Sequence, residues 1–105
     1  KRYEIFFADL DPTVGGEIRK VGPVVAISQN EMNQLVNTVV ICPLTSVLHP
    51  QWRSRLQIRC AGKKAEVAID QIRTISKERL EEKIDKLTAD EAGQLRRIVT
   101  QMYGE

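Results

Sequence analysis

Trp52-Arg53-Ser54-Arg55-Leu56-Gln57-Ile58-Arg59-Cys60 alternates with period two. Trp52, Ser54, Leu56, Ile58 and Cys60 fall on one side of an extended chain, and Arg53, Arg55, Gln57 and Arg59 on the other. Successive side chains of a strand point to opposite faces, so the pattern predicts a strand with one buried and one solvated face. Downstream, Gly62-Lys63 suits a tight connection into Glu66–Ile69, and Gln71–Ile75 continues or bends that second strand. Upstream, Pro23–Ser28 and Thr38–Leu44 are apolar runs of strand length, the latter rich in β-branched residues. Ile5–Asp9 is short, aromatic and β-prone; it breaks at Asp11-Pro12 into a polar loop that carries Gly15 and Gly16 and runs to Gly22. Five or six short strands with turn signals between them predict a small β-barrel.

The period changes at the C-terminus. Thr88 followed by Glu91 is a capping box, and Ala92, Leu95, Ile98, Val99 and Met102 form a helical stripe that should pack across the barrel. Ser76–Leu87 is ambiguous, because Leu80, Ile84 and Leu87 also fit a helix. At 105 residues the chain has the length of one domain, spanning 1–105, with ordinary hydrophobic (42%) and charged (29%) content. It begins with Lys1 rather than Met, which predicts a natural N-terminus that is missing or processed. No apolar run reaches the ~20 residues of a membrane span. Cys42 and Cys60 sit in apolar stretches without metal-type spacing, as buried reduced thiols of a cytosolic protein would.

The net charge of +2 is unevenly spread. Between residues 12 and 65, Arg19, Lys20, Arg53, Arg55, Arg59, Lys63 and Lys64 stand against Glu17 and Glu31, while residues 66–105 are slightly acidic. A basic first half of this kind suits a localised polyanion site. Conventional hydrolytic chemistry is poorly supported. His49 is the only histidine, which excludes a two-histidine acid–base pair within one chain. No carboxylate–histidine cluster has metal-ligand spacing, and neither a phosphate-binding loop nor a nucleophile elbow is present. Read without further comparison, these residues favour a binding module.

Four ordered blocks shift that reading: Phe7–Pro12, Gly15–Ile27, Val40–Ser46, and Asp70–Ile75 with Arg79-Leu80. In order and spacing they resemble the MazF/PemK toxins of bacterial toxin–antitoxin pairs, over essentially the whole chain. The resemblance implies a fold that is mainly β with α, an SH3-like small barrel of the CcdB/Kid/PemK type with a C-terminal helix, and for Ser76–Leu87 a short turn of helix and then a strand. It implies a cytoplasmic homodimer, inhibited by a cognate MazE-like antitoxin whose extended acidic tail occupies the RNA groove. The implied activity is metal- and cofactor-independent, sequence-specific cleavage of single-stranded RNA, mostly mRNA. The 2′-hydroxyl attacks within the chain and leaves 2′,3′-cyclic phosphate and 5′-hydroxyl ends.

Such a reaction needs no protein nucleophile; it needs in-line positioning, proton transfer and stabilisation of a phosphorane. By resemblance the catalytic positions are Gly22, Thr45 and Glu17, where Gly22 stands in place of the family's arginine. A glycine offers neither charge nor hydrogen bond, so the chain should be inactive or weakened. Arg19 or Lys20, in the same loop, could swing in, although another loop position rarely reproduces a guanidinium fork. Asp70 and Gln71 match positions that recognise bases. Ser46, Arg53 and Arg55 join Arg19 and Lys20 as candidate RNA contacts, and Arg59 shares their strand face. Trp52 suits a core or loop-covering role better than base stacking, and Tyr3 departs from the family's usual small residue. Two other readings stay open. One is a silent relative that binds RNA or antitoxin. The other is a CcdB-like gyrase poison, although that activity rests on a terminal tryptophan and this chain ends Met102-Tyr103-Gly104-Glu105.

Overall fold

The structure is a computed structural model that describes residues 1–10 and 21–104. Glu17, Arg19 and Lys20, named above as candidate site residues, lie outside the described residues. Seven strands are interrupted by one short helix and closed by a longer one. They are β1 (Glu4–Asp9), β2 (Val21–Ala26), β3 (Thr38–Thr45), β4 (Arg55–Cys60), β5 (Lys63–Ala68), β6 (Arg73–Ser76) and β7 (Leu80–Lys86). The helix α1 (Asn30–Leu35) connects β2 to β3, and α2 (Ala89–Tyr103) follows β7.

All pairings are antiparallel, in the order β4-β5-β3-β2-β1-β7. The strongly bent sheet is the expected SH3-like half-barrel with its C-terminal helix. β3 is its spine. One side of β3 pairs with β2, while the other side forks: Thr38–Ile41 pair with β6, and Leu44 and Thr45 with β5. Pro43, which has no N–H to give a ladder, sits in the gap between those two partners. Both faces of β2 and β3 are covered, which explains their continuous apolar runs. Val25, Cys42 and Leu44 join Leu56, Ile58, Val67, Ile69 and the helix residues Ala92 and Leu95 in the larger cluster. Val24, Ala26 and Ile41 face the other way, with Ala8, Leu10, Val39 and Ile75.

The alternation of 52–60 holds only from Arg55. Trp52 N–H donates to the His49 carbonyl and Arg55 N–H to the Trp52 carbonyl, so two turns precede the strand. The β4–β5 connection is the expected tight one: Cys60 pairs with Lys63, and Ala61 (φ 51°) and Gly62 (φ 80°) make a two-residue left-handed turn. Residues 77–79 form one 3₁₀ turn before β7, the turn-then-strand that the resemblance implies for Ser76–Leu87, and the helical spacing of Leu80, Ile84 and Leu87 marks no helix. α1 was not expected; none of its residues is buried, so it leaves no apolar stripe to read. The capping box is present in both directions, Glu91 N–H to Thr88 Oγ1 at 3.1 Å and Thr88 N–H to Glu91 Oε1 at 2.9 Å.

Candidate active site

Register brings the two principal candidate positions together. β2 and β3 pair as Val24–Pro43, Val25–Cys42 and Ala26–Ile41. Carried two residues further, that register sets Gly22 level with Thr45, on the same face. Gly22 pairs on its other side with Ala8, Thr45 with Glu66, and Glu66 with Gln57. With that extended step between Gly22 and Thr45, one row, Ala8–Gly22–Thr45–Glu66–Gln57, crosses five strands. Among the described residues, a Cβ placed on Gly22 meets nothing within 4 Å, so none of them blocks an L side chain at that position. Thr45 is half-buried at the end of β3, and its Oγ1 accepts the Val47 N–H at 3.1 Å. That local turn occupies one lone pair and leaves the hydroxyl proton to donate to a ligand. Ser46 follows it, exposed.

The other half of the row is crowded with charge. Glu66 is fully buried, and its carboxylate accepts from His49 N–H, from Gln57 Nε2 at 2.6 Å and from Arg55 Nη1 at 2.7 Å. The other edge of the Arg55 guanidinium turns to Asp70, with Nε at 2.8 Å from Oδ1 and Nη2 at 3.4 Å from Oδ2. Arg55 also lies over the Trp52 ring, 4.8 Å from its centroid, and Trp52 stacks on His49 at 3.9 Å. Burial raises the Glu66 carboxyl, but the hydrogen bonds from Gln57, His49 and Arg55 outweigh it and hold the group below its ordinary value. Asp70 is held low in the same way: desolvation opposes, and Arg55 and Ser54 prevail.

The sequence placed Arg53, Arg55 and Arg59 on one solvated strand face. The structure separates them. Only 7% of the Arg55 side chain is exposed, and its guanidinium is engaged by two carboxylates. Arg53 is exposed in the turn before β4, and Arg59 Nη1 donates to the Gly62 carbonyl at 3.2 Å. Trp52 is not in the core: it is exposed, stacked on His49 and lying against Arg55. Asp70 and Gln71 share the 3₁₀ turn Ile69–Gln71 between β5 and β6, which is latched to α2 by Tyr103 Oη donating to the Ile69 carbonyl at 3.1 Å.

Three residues were missed as site candidates. Glu66 carried a signal, a carboxylate inside the run Ala65–Ile69. Arg73 and Arg79 donate to the carbonyls of Leu10 and Asp9, each at 3.4 Å, and so reach the end of β1 beside the Ala8–Gly22 pair. Nothing in their spacing announced that. Cys42 and Cys60 are buried and unpaired, and burial with the nearby Asp70 charge pushes the Cys42 thiol up to about 12. No group of three or more potential metal ligands occurs among the described residues.

Comparison with known proteins now has a geometry to attach to. The sequence profile of the PemK-like, MazF-like toxins of type II toxin–antitoxin systems matches residues 1–103. The chain belongs to that family. Among MazF-like relatives, the endoribonuclease EndoA of Bacillus subtilis (strain 168) is 31% identical over 93 residues, covering 83% of this chain and 79% of the relative. The crystal structure of a MazF from Deinococcus radiodurans superimposes with a TM-score of 0.85 at 19% identity, over 99% of this chain and 96% of that one. A mycobacterial endoribonuclease in complex with its cognate antitoxin superimposes with a TM-score of 0.82 at 18% identity, over 98% of this chain and 93% of that one. The row from Gly22 to Gln57 thus crosses a MazF-like barrel, and no helix of the described residues is long and apolar enough to cross a membrane.

Proposed function

We propose that this chain is the endoribonuclease toxin of a toxin–antitoxin pair, built to cleave single-stranded RNA without a metal and weakened at Gly22. The observation that carries the reading is the β2–β3 register, which extended two residues past Val24–Pro43 sets Gly22 level with Thr45, with no described residue in the way of a side chain at 22. In such a site the RNA 2′-hydroxyl is the nucleophile and the neighbouring phosphate the electrophile. The Thr45 hydroxyl donates to a phosphate oxygen, and a cation at 22 neutralises the charge that grows on the phosphorane. Glu17, in the loop leading to β2, is the acidic partner near the scissile phosphate. Products are a 2′,3′-cyclic phosphate and a 5′-hydroxyl. A transition-state arginine is worth ~10³–10⁵ in rate in phosphoryl transfer, and its absence on that scale leaves little turnover. Asp70, Gln71, Ser46, Arg53, Arg19 and Lys20 are the proposed RNA contacts. Arg55 contributes through Asp70. The antitoxin complex of the mycobacterial relative supports an antitoxin partner here, and we propose a cytoplasmic homodimer as the working form.

The test is gain of function. Gly22→Arg should cleave single-stranded RNA in the presence of EDTA, yielding cyclic-phosphate ends, where the parent chain cleaves little. A folded Gly22→Arg protein that leaves RNA intact sinks the enzyme reading. The bare Gly22 backbone also favours a second reading, a silent relative that retains RNA or antitoxin binding. A Gly22→Arg chain that still binds RNA or antitoxin but cuts nothing would favour the second reading over the first.

A further inference from the structure

The candidate RNA contacts include one arginine that cannot behave as a surface cation. Arg55 is held at three points: Nη1 by Glu66, Nε and Nη2 by Asp70. Its face is covered by Trp52. Glu66, the only buried charged residue of the described chain, is bound in turn by three donors from three places, the 47–54 loop (His49 N–H), β4 (Gln57) and Arg55. Such a pair is an odd device for stability. Removing two charges from water costs several kcal/mol per ion, and apolar residues of similar volume fill such places as well or better. Geometry is what the pair supplies. Glu66 is the ladder partner of Thr45, so its carboxylate sits one strand away from the hydroxyl at the candidate centre. The chain of contacts then runs from the loop after Thr45, through Glu66 and Arg55, to Asp70 at the surface.

We infer that Glu66 and Arg55 are positioning residues that fix Asp70 and the 47–54 loop relative to Thr45, and so set which RNA sequence the site accepts. The inference rests on the ribonuclease reading for its consequence, though not for its mechanics. Arg55 holds Asp70 ionised, an acceptor of fixed direction. A base beside it must present an N–H donor along that line. Without the guanidinium fork, the Asp70 carboxylate is free to rotate, and selection at that base weakens. Lysine in place of Arg55 keeps the charge and loses the three-point hold.

Two measurements test this separately. In the chain as it stands, hydrogen exchange at Arg55 Nη1, the donor to Glu66, followed by NMR, should quicken by about tenfold or more in Glu66→Gln, the scale of one charge-assisted hydrogen bond. Unchanged protection in a folded Glu66→Gln protein overturns the inference whether or not RNA is ever cut. In the Gly22→Arg chain, Arg55→Lys and Glu66→Gln should broaden the set of sequences cleaved, and the rate at the preferred site should fall less than selectivity does. An unaltered cleavage pattern from either folded variant overturns the inference. If Gly22→Arg itself cuts nothing, the ribonuclease reading falls, and the exchange measurement still decides whether Glu66 pins Arg55.

Discussion

Two ends of one row of side chains are built on opposite principles. At Gly22 the backbone is present, the register is set by Ala8, and no described residue stands where a side chain would begin. At Glu66, two positions along the row, every carboxylate lone pair with a neighbour is used and no water reaches the group. The first position can lose its side chain without disturbing the barrel, because none of the described residues would pack on it. The second cannot lose its carboxylate without leaving three hydrogen-bond donors short of their acceptor. Function at the first can be restored by one substitution, whereas the role of the second can be read only by damaging it carefully.

The largest effect should come from the open end. Gly22→Arg should raise RNA cleavage by ~10³–10⁵, with urea stability moved by no more than about 0.5 kcal/mol, the scale of an exposed substitution. A large change in stability at 22 would break the contrast. Next comes the crowded end: Glu66→Ala leaves Arg55 Nη1, Gln57 Nε2 and His49 N–H without their acceptor while Asp70 still neutralises the guanidinium, and should cost about 1–3 kcal/mol in urea denaturation. Replacing Arg55, Glu66 and Asp70 together by apolar residues should recover most of that loss, because no charge is left unpaired.

Acid sharpens the contrast further. Glu66 and Asp70 titrate below their ordinary values of 4.5 and 3.8 in the folded protein, so the unfolded chain binds protons first as pH falls. Their contribution is complete above the ordinary values and lost as pH drops through the folded ones. Denaturation midpoints should therefore hold from pH 7 to about 5 and decline below about 4. The combined apolar variant should lack that share of the decline. The smallest effect lies between the two ends: Thr45→Val removes one turn hydrogen bond and should cost about 1 kcal/mol or less in the parent chain. In the Gly22→Arg chain the same change should remove most of the cleavage.

Much of this architecture was legible in the amino-acid order. The alternation of Leu56, Ile58 and Cys60, the Gly62 turn and the Thr88–Glu91 capping box are local signals, and each names its own element. What stayed hidden was non-local or weak. Trp52 continues the alternation on paper, yet stacking on His49 takes it out of the strand. α1 buries nothing, so no periodicity marks it. The proximity of Gly22 to Thr45 follows from register, which depends on how both strands pair. The engagement of Arg55 by Glu66 and Asp70 required strand β5 to lie beside β4, and a face of arginines looks solvated until its partners are known.

The fork in β3 has a kinetic consequence. One strand must be completed by β2 before it, by β5 after it, and by β6 as far on as Ser76, while Ile5 waits for Asp85 to close the other edge. Few of these contacts can form early from neighbours in the chain, so loop-closure entropy is spent before packing returns it. Refolding should fall in the millisecond-to-second range of non-local β topologies. During synthesis the spine stays incomplete until Ser76 has emerged, which exposes its apolar faces for most of the time the chain is being made.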